Sequence, residues 1–226
     1  GGIDKIAQLT QFSHYPISSE VGLIIVYSLI SSALGLPLSY YSTFKIEQAF
    51  GFNKMTLGLF IKDLIKGTLL GMIIGVPLLY LVMWLMNSLG ATWWLWVWGV
   101  MVIFNLLILT IYPTFIAPLF NKFTPLEDLE LKARIETLLS ECGFKSQGVF
   151  VMDGSKRSSH GNAYFTGLGA SKRIVFFDTL LKQLSHDEII AVLAHELGHF
   201  KHKHILKQML TSFGIMLVGL FVFSLL

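Results

Sequence analysis

His195, Glu196 and His199 stand in the pattern H-E-x-x-H within Ala194-His195-Glu196-Leu197-Gly198-His199. On a helix, residues four apart lie one above the other on the same face, so two imidazoles are offered to one metal ion. Glu196 lies beside them, where a carboxylate takes a proton from a metal-bound water. Zinc suits this donor set, because a catalytic zinc is held by three protein groups and leaves a fourth position for water. With 7 His in 226 residues, accident produces such a pattern in about one chain in a hundred. The competing reading is a buried helix whose two histidines are satisfied core groups.

The flanking residues favour the helix that the chemistry needs. Ser185 and Glu188 form a capping box, with Ser185 as N-cap and Glu188 three residues on. Ile189, Ile190, Val192, Leu193, Leu197 and Phe200 supply apolar faces, and Gly198 alone interrupts the pattern as far as Lys207.

The chain around this helix is 54% hydrophobic and only 14% charged, with a mean hydropathy of +0.65. Soluble domains carry roughly a quarter charged residues. The apolar residues gather into runs of the ~20 residues needed to cross a bilayer. The expected fold class is therefore mainly α, a multi-pass helical membrane protein with a small α+β segment, containing a short β-sheet, that carries the zinc site. The single cysteine, Cys142, excludes an internal disulfide framework and a cysteine-only zinc site.

Residues 1–20 read as a membrane-surface segment, and three spans are expected within 21–116. The first is Val21 to Tyr41, containing Pro37; the second is Leu64 to Met86; the third is Ala91 to Ile116. Between the first two, residues 42–63 turn polar and read as an interfacial loop with a short amphipathic helix. Gly67, Gly71 and Gly75 offer the small-residue face that lets two membrane helices approach closely. Trp93, Trp94, Trp96 and Trp98 resemble an interfacial aromatic belt.

Residues 117–207 form the polar, site-bearing segment. A helix is expected to start at the Thr124-Pro125-Leu126-Glu127 cap and to end near Cys142, with Gly143 as its C′ residue. Gly148 to Met152 reads as a strand, and Asn162–Thr166 with Arg173–Phe177 as a hairpin across Gly167–Ser171. Residues 208–226 begin a fourth span. Of the 17 Lys and Arg, 4 fall in 42–66 and 12 in 117–207. By the positive-inside rule both segments face the cytoplasm, where the lysines also suit anionic lipid head groups.

Several stretches together resemble the zinc-metalloprotease type of CAAX prenyl endopeptidase. They are Tyr40 to Glu47 (YYSTFKIE), Gly51-Phe52-Asn53, Ile111-Tyr112, Ile116 to Phe120 (IAPLF) and Phe123 to Leu126 (FTPL). The likeness continues through Gly154 to His160 (GSKRSSH), Asn162 to Phe165 (NAYF), Arg173-Ile174-Val175, Phe177 to Leu181 (FDTLL) and the H-E-x-x-H helix with His204 beyond it. It extends over nearly the whole chain from Val21.

The resemblance implies a membrane-embedded protease, with one Zn2+ per active site, that removes the last three residues after a prenylated cysteine. It implies His195 and His199 as zinc ligands, Glu196 as general base, and Asn162, Ala163, Tyr164 and Phe165 as the strand that pairs with substrate. An extended peptide adding to a sheet edge is also the physical reading of that strand; an ordinary core strand is the alternative. The third zinc ligand, a Glu on a later helix, and the family's oxyanion-binding His are expected beyond Leu226, which makes this chain an internal portion of the enzyme. His160, His202 and His204 receive no role. Expected partners are a prenylated or other C-terminal peptide and membrane lipids, with no nucleic acid. The short link between Leu181 and the metal helix points to a bacterial inner membrane rather than the endoplasmic reticulum. Two readings remain beside this one: a membrane quality-control metalloprotease of the HtpX kind, and a non-catalytic scaffold that keeps the helix for packing.

Overall fold

The computed structural model describes residues 1–11, 16–144, 146–166, 172–201 and 204–226, without the side chains of 199–201 and 204–205. Its Cα packing divides the chain into two units: Gly1–Gly51, Met55–Val100 and Leu217–Leu226 in the first, Phe52–Lys54 and Met101–Met216 in the second.

The first unit is helical. A short surface helix, α1 (Gly2–Leu9), precedes α2 (Pro16–Tyr41), which runs on through a π-helical stretch, Ser42–Glu47. Thr56 then caps α3 (Leu57–Ser88) by accepting from the Leu59 N–H at 3.2 Å. Within 42–63 the expected separate amphipathic helix does not form: Lys45 and Glu47 belong to the helical run that continues α2, Lys62 and Asp63 to the first turns of α3, and Asn53 and Lys54 to the non-helical stretch between them. Tyr80 donates to Ser18 across α2 and α3 at 3.0 Å, and Asn87 to Glu20 at 3.3 Å. Gly67, Gly71 and Gly75 meet no closely packed helix among the described residues. Outside their own stretch of α3, no described atom would lie within 4 Å of a Cβ at any of the three, and they line a groove of about 540 Å³ with Ser28 and Ser32 of α2. Gly90, at φ +51°, turns the chain into α4 (Trp93–Ile111). Trp93 and Trp94 of the expected belt pack edge-on against Phe223 and Phe221.

Among the described residues four helical stretches are long and apolar enough to cross a membrane: Pro16–Glu47, Leu57–Ser88, Gly90–Phe120 and Leu206–Phe223. Their outward residues include Leu34, Leu38, Ile73, Ile103 and Ile215, each about 70% exposed or more than two-thirds bare. Water would not tolerate so continuous an apolar surface; a bilayer covers it. The protein is a multi-pass helical membrane protein with a small mixed sheet.

The second unit carries that sheet. After α4 the chain passes through a second π stretch, Tyr112–Ile116, and α5 (Ala117–Phe120) into β1 (Phe123–Pro125). There follow α6 (Leu129–Glu141), β2 (Val149–Met152), β3 (Ala163–Thr166), β4 (Arg173–Phe177), α7 (Asp178–Gln183), α8 (His186–Lys201) and α9 (His204–Phe223). The strand order is β1-β2-β4-β3, with β2 and β4 parallel and both outer pairs antiparallel.

The helix expected from Thr124 starts four residues later. Thr124 and Pro125 are taken into β1, where Thr124 pairs with Val151, and Asp128 caps α6 by accepting from the Leu131 N–H at 2.9 Å. The predicted end holds: Gly143 adopts φ +65°. The Phe144 N–H reaches the Leu139 carbonyl at 2.8 Å and the Gly143 N–H the Ser140 carbonyl at 3.0 Å, a Schellman ending. Leu131, Ile135 and Leu139 of α6 meet Ile189, Leu193 and Leu197 of α8 in a core that also takes Val149, Ala163, Ile174 and Phe176 from one face of the sheet. The alternation of strand side chains sends Phe150, Tyr164 and Val175 to the other face, where they line a small pocket with Tyr112, Pro113 and Ala117.

Candidate active site

The helix that bears the two histidines begins as its sequence dictates. The Glu188 carboxylate accepts from the Ser185 N–H at 2.7 Å and from its hydroxyl at 2.8 Å, completing the capping box. The helix runs unbroken through His199 to Lys201, and residues 204–207 are helical as well. His202 and Lys203 lie outside the described residues.

Ile189, Leu193 and Leu197, four apart and at most 3% exposed, fix the core face of α8. His195 falls two residues from Leu193 and from Leu197, on the opposite side, and is exposed. Glu196 is half-buried on the flank between them. Position 199 continues the row of His195 one turn on; its ring lies outside the described side chains. The donor set thus fits a metal in the part that is described: one exposed imidazole, an adjacent carboxylate, and a second histidine four residues along an unbroken helix. Among described residues no three metal-ligating side chains converge.

β3 lies at the edge of the sheet and packs against α8. The Phe177 N–H donates to the Asn162 carbonyl at 2.9 Å, so Asn162, Tyr164 and Thr166 turn their backbone groups toward β4. Ala163 and Phe165 then turn theirs toward the open edge. The Ile174 N–H, opposite Phe165, accordingly reaches the other way, to the Gly148 carbonyl at 3.2 Å. The outward N–H of Ala163 is taken by Asn162 Oδ1 at 2.8 Å. What remains for a partner strand is the Phe165 N–H and the carbonyls of Ala163 and Phe165. The Tyr164 hydroxyl faces away from this edge, 3.9 Å from Met152 Sδ; burial and the neighbouring Tyr112 push its pKa up to about 12, so it stays neutral.

A polar clasp joins the starts of α6 and α8. His186 Nε2 stands 2.9 Å from Asp128 Oδ2, and Arg134 pairs with Asp187. The Leu131 N–H, with His186 close by, holds the Asp128 carboxyl below the usual carboxylate range; Arg134 does the same for Asp187, and the Ser185 N–H for Glu188. Depressed carboxylates stabilise the fold above their ordinary pKa and lose that contribution as pH falls through the lowered folded-state value. Asp187→Asn should therefore lower the melting temperature slightly at pH 7, as expected of an exposed pair. The gap to the parent should close as pH drops below about 4, as thermal scans across pH will read.

Two segments that hold the entry to β3 were given no part in the site by the sequence. Phe52–Lys54 adds itself to residues 157–159, with Asn53 bridging Ser158, and Arg157 donates to Asn121 Oδ1 at 2.6 Å and to the Phe120 carbonyl at 2.7 Å. The one sequence signal was their presence among the stretches that carry the family likeness.

Comparison with known proteins bears on the whole chain. Residues 1–122 match the family described as "CAAX prenyl protease N-terminal, five membrane helices" and residues 125–226 match peptidase family M48. CAAX prenyl protease 1 of Saccharomyces cerevisiae is 49% identical over 87% of this chain and 44% of its own length. The Arabidopsis thaliana homologue is 50% identical over 77% of this chain and 41% of its own. The human homologue is 36% identical over 88% and 50%. The crystal structure of S. mikatae Ste24p superposes with a TM-score of 0.90 at 44% identity, covering 98% of this chain and 52% of that one. This chain spans about half the length of the curated relatives it matches. These relatives are eukaryotic, and nothing in them supports the bacterial source suggested by the short Leu181–α8 link. The chain belongs to the CAAX prenyl protease family of M48 peptidases.

Proposed function

We propose that this protein supplies the zinc-binding helix and the substrate-binding edge of a membrane metalloendopeptidase that cuts peptide bonds near the C-terminus of prenylated CAAX proteins. The observation that carries the reading is the H-E-x-x-H helix α8 packed against an open sheet edge, β3. The names of the relatives, CAAX prenyl protease 1 in each organism quoted, support the substrate class.

His195 and His199 hold the metal, with a further ligand completing the shell. Zinc bound there supplies Lewis acidity, which acidifies water and polarises a carbonyl. Glu196 accepts the proton of the attacking water and returns it to the departing amine. An extended peptide binds along β3 through the Phe165 N–H and the carbonyls of Ala163 and Phe165, while side-chain pockets set preference. A membrane setting suits such a substrate, since each CH₂ of its lipid carried through water costs about 0.8 kcal/mol. The basic segments 42–66 and 117–207 support a site on the cytoplasmic side.

Metal removal tests this directly. Dialysis of the intact purified protein against a zinc chelator should abolish cleavage of a farnesylated peptide, and one equivalent of Zn2+ should restore it. Cleavage that persists in protein shown by elemental analysis to be free of metal contradicts the proposal.

A further inference from the structure

The stretch that leads into β3 is fastened at nearly every second residue. Asp153 Oδ1 accepts from the Lys122 N–H at 2.8 Å. Asp178 takes the Ser155 N–H at 2.8 Å and its hydroxyl as well. The Arg157 guanidinium binds Asn121 Oδ1 and the Phe120 carbonyl, and its own carbonyl accepts from the Lys54 N–H at 3.0 Å. The Ser159 N–H donates to the Phe52 carbonyl at 2.9 Å, and the Ser159 carbonyl accepts from Gln183 Nε2 at 2.9 Å. The His160 carbonyl accepts from the Thr179 hydroxyl at 2.8 Å, and the His160 ring stacks on Phe52 with centroids 4.1 Å apart. Gly161 then passes so close to α7 that a Cβ would stand 3.3 Å from the Leu180 Cα and 3.0 Å from Gln183 Oε1.

An edge strand has one neighbour, so half of its backbone bonds are open and its position along the sheet is weakly held. Among the described residues β3 covers Ala163–Thr166 and pairs with β4. Fixing its entry from outside the sheet supplies the missing restraint. Such bracing matters most where the outer edge must present a bound peptide at one offset from a fixed reactive group, because a shift of about 1 Å can cost a hundredfold in rate.

We infer that Arg157 and Phe52 are positioning residues that fix the register of β3, and so determine which bond of a bound peptide is cut. The inference rests on the proposed role of β3 as the substrate-pairing strand. Neither side chain belongs to the metal-binding or proton-transferring set. Arg157 acts through the carbonyl end of α5, and Phe52 through the His160 ring and the two backbone bonds that flank it.

The test uses the intact, zinc-loaded protein carrying Arg157→Ala or the milder Phe52→Leu. Hydrogen–deuterium exchange is read on the native state and needs no substrate. Exchange of the β3 amides bonded to β4, those of Tyr164 and Thr166, should quicken by about tenfold or more while β2 keeps its protection. With a farnesylated peptide, kcat/KM should fall about tenfold or more and mass spectrometry should find cuts at neighbouring bonds, with zinc content unchanged. Arg157→Lys, which keeps one donor, should recover part of the loss. If Phe52→Leu and Arg157→Lys both leave β3 exchange and the single cut position as in the parent, the inference is overturned. So is it if Arg157→Ala only lowers the yield of folded protein, and the folded fraction cuts at one bond with unchanged kcat/KM. Failure of the parent protein to cleave any prenylated peptide would instead strike at the protease reading, and the exchange arm would still decide whether these two residues hold β3.

Discussion

Glu196→Gln is expected to lower kcat for a farnesylated peptide by about 10²–10⁴-fold, the range that a general base contributes. The amide keeps the size of the carboxylate and loses its capacity to accept a proton. Glu196 is half-buried on the flank of α8, away from the Leu193 face, so the exchange should leave folding and zinc content intact. KM should change little, because the carboxylate acts on the water and not on the peptide's main chain. Parallel zinc analysis and single-turnover kinetics separate this outcome from metal loss. Turnover within a few-fold of the parent would remove Glu196 from the reaction.

His195→Ala should have an effect at least as large by a different route. The ring is exposed on the face of α8 opposite Ile189, Leu193 and Leu197, so its removal creates no core cavity and the melting temperature of the metal-free protein should stay near that of the parent. Zinc bound by the purified variant should fall from about one equivalent toward none, since each lost ligand removes a large part of the site's affinity. Activity should fall with it to background. Full zinc occupancy in this variant would show that the metal sits elsewhere.

The helix that carries H-E-x-x-H was legible because its determinants are local. Ser185, Glu188 and the four-residue spacing of Ile189, Leu193 and Leu197 specify α8 within one stretch of chain, and H-E-x-x-H lies on the face they leave bare. The β3–β4 hairpin and the Gly143 ending of α6 were legible for the same reason, since each is read from neighbouring residues. What sequence could not supply was long-range pairing. Thr124-Pro125 carries the signature of a helix start, but pairing of Phe123–Pro125 with β2 outcompetes it, and Asp128 stands ready as the next cap. The parallel β2–β4 ladder joins residues about 25 positions apart, and no local pattern records it. The bracing of residues 153–161 by Phe52 and Arg157 is likewise spread over distant parts of the chain. The glycine row at 67, 71 and 75 names no partner helix, because small residues permit close helix contact without requiring it.

The central claim is that the two imidazoles of α8 share one zinc ion. X-ray absorption at the zinc edge of the intact purified protein tests it most directly. The account predicts a shell containing two imidazole nitrogens at about 2.0–2.1 Å, one of which disappears from whatever zinc remains bound in His195→Ala. A shell with no imidazole, or one that His195→Ala and His199→Ala both leave unchanged, would contradict it.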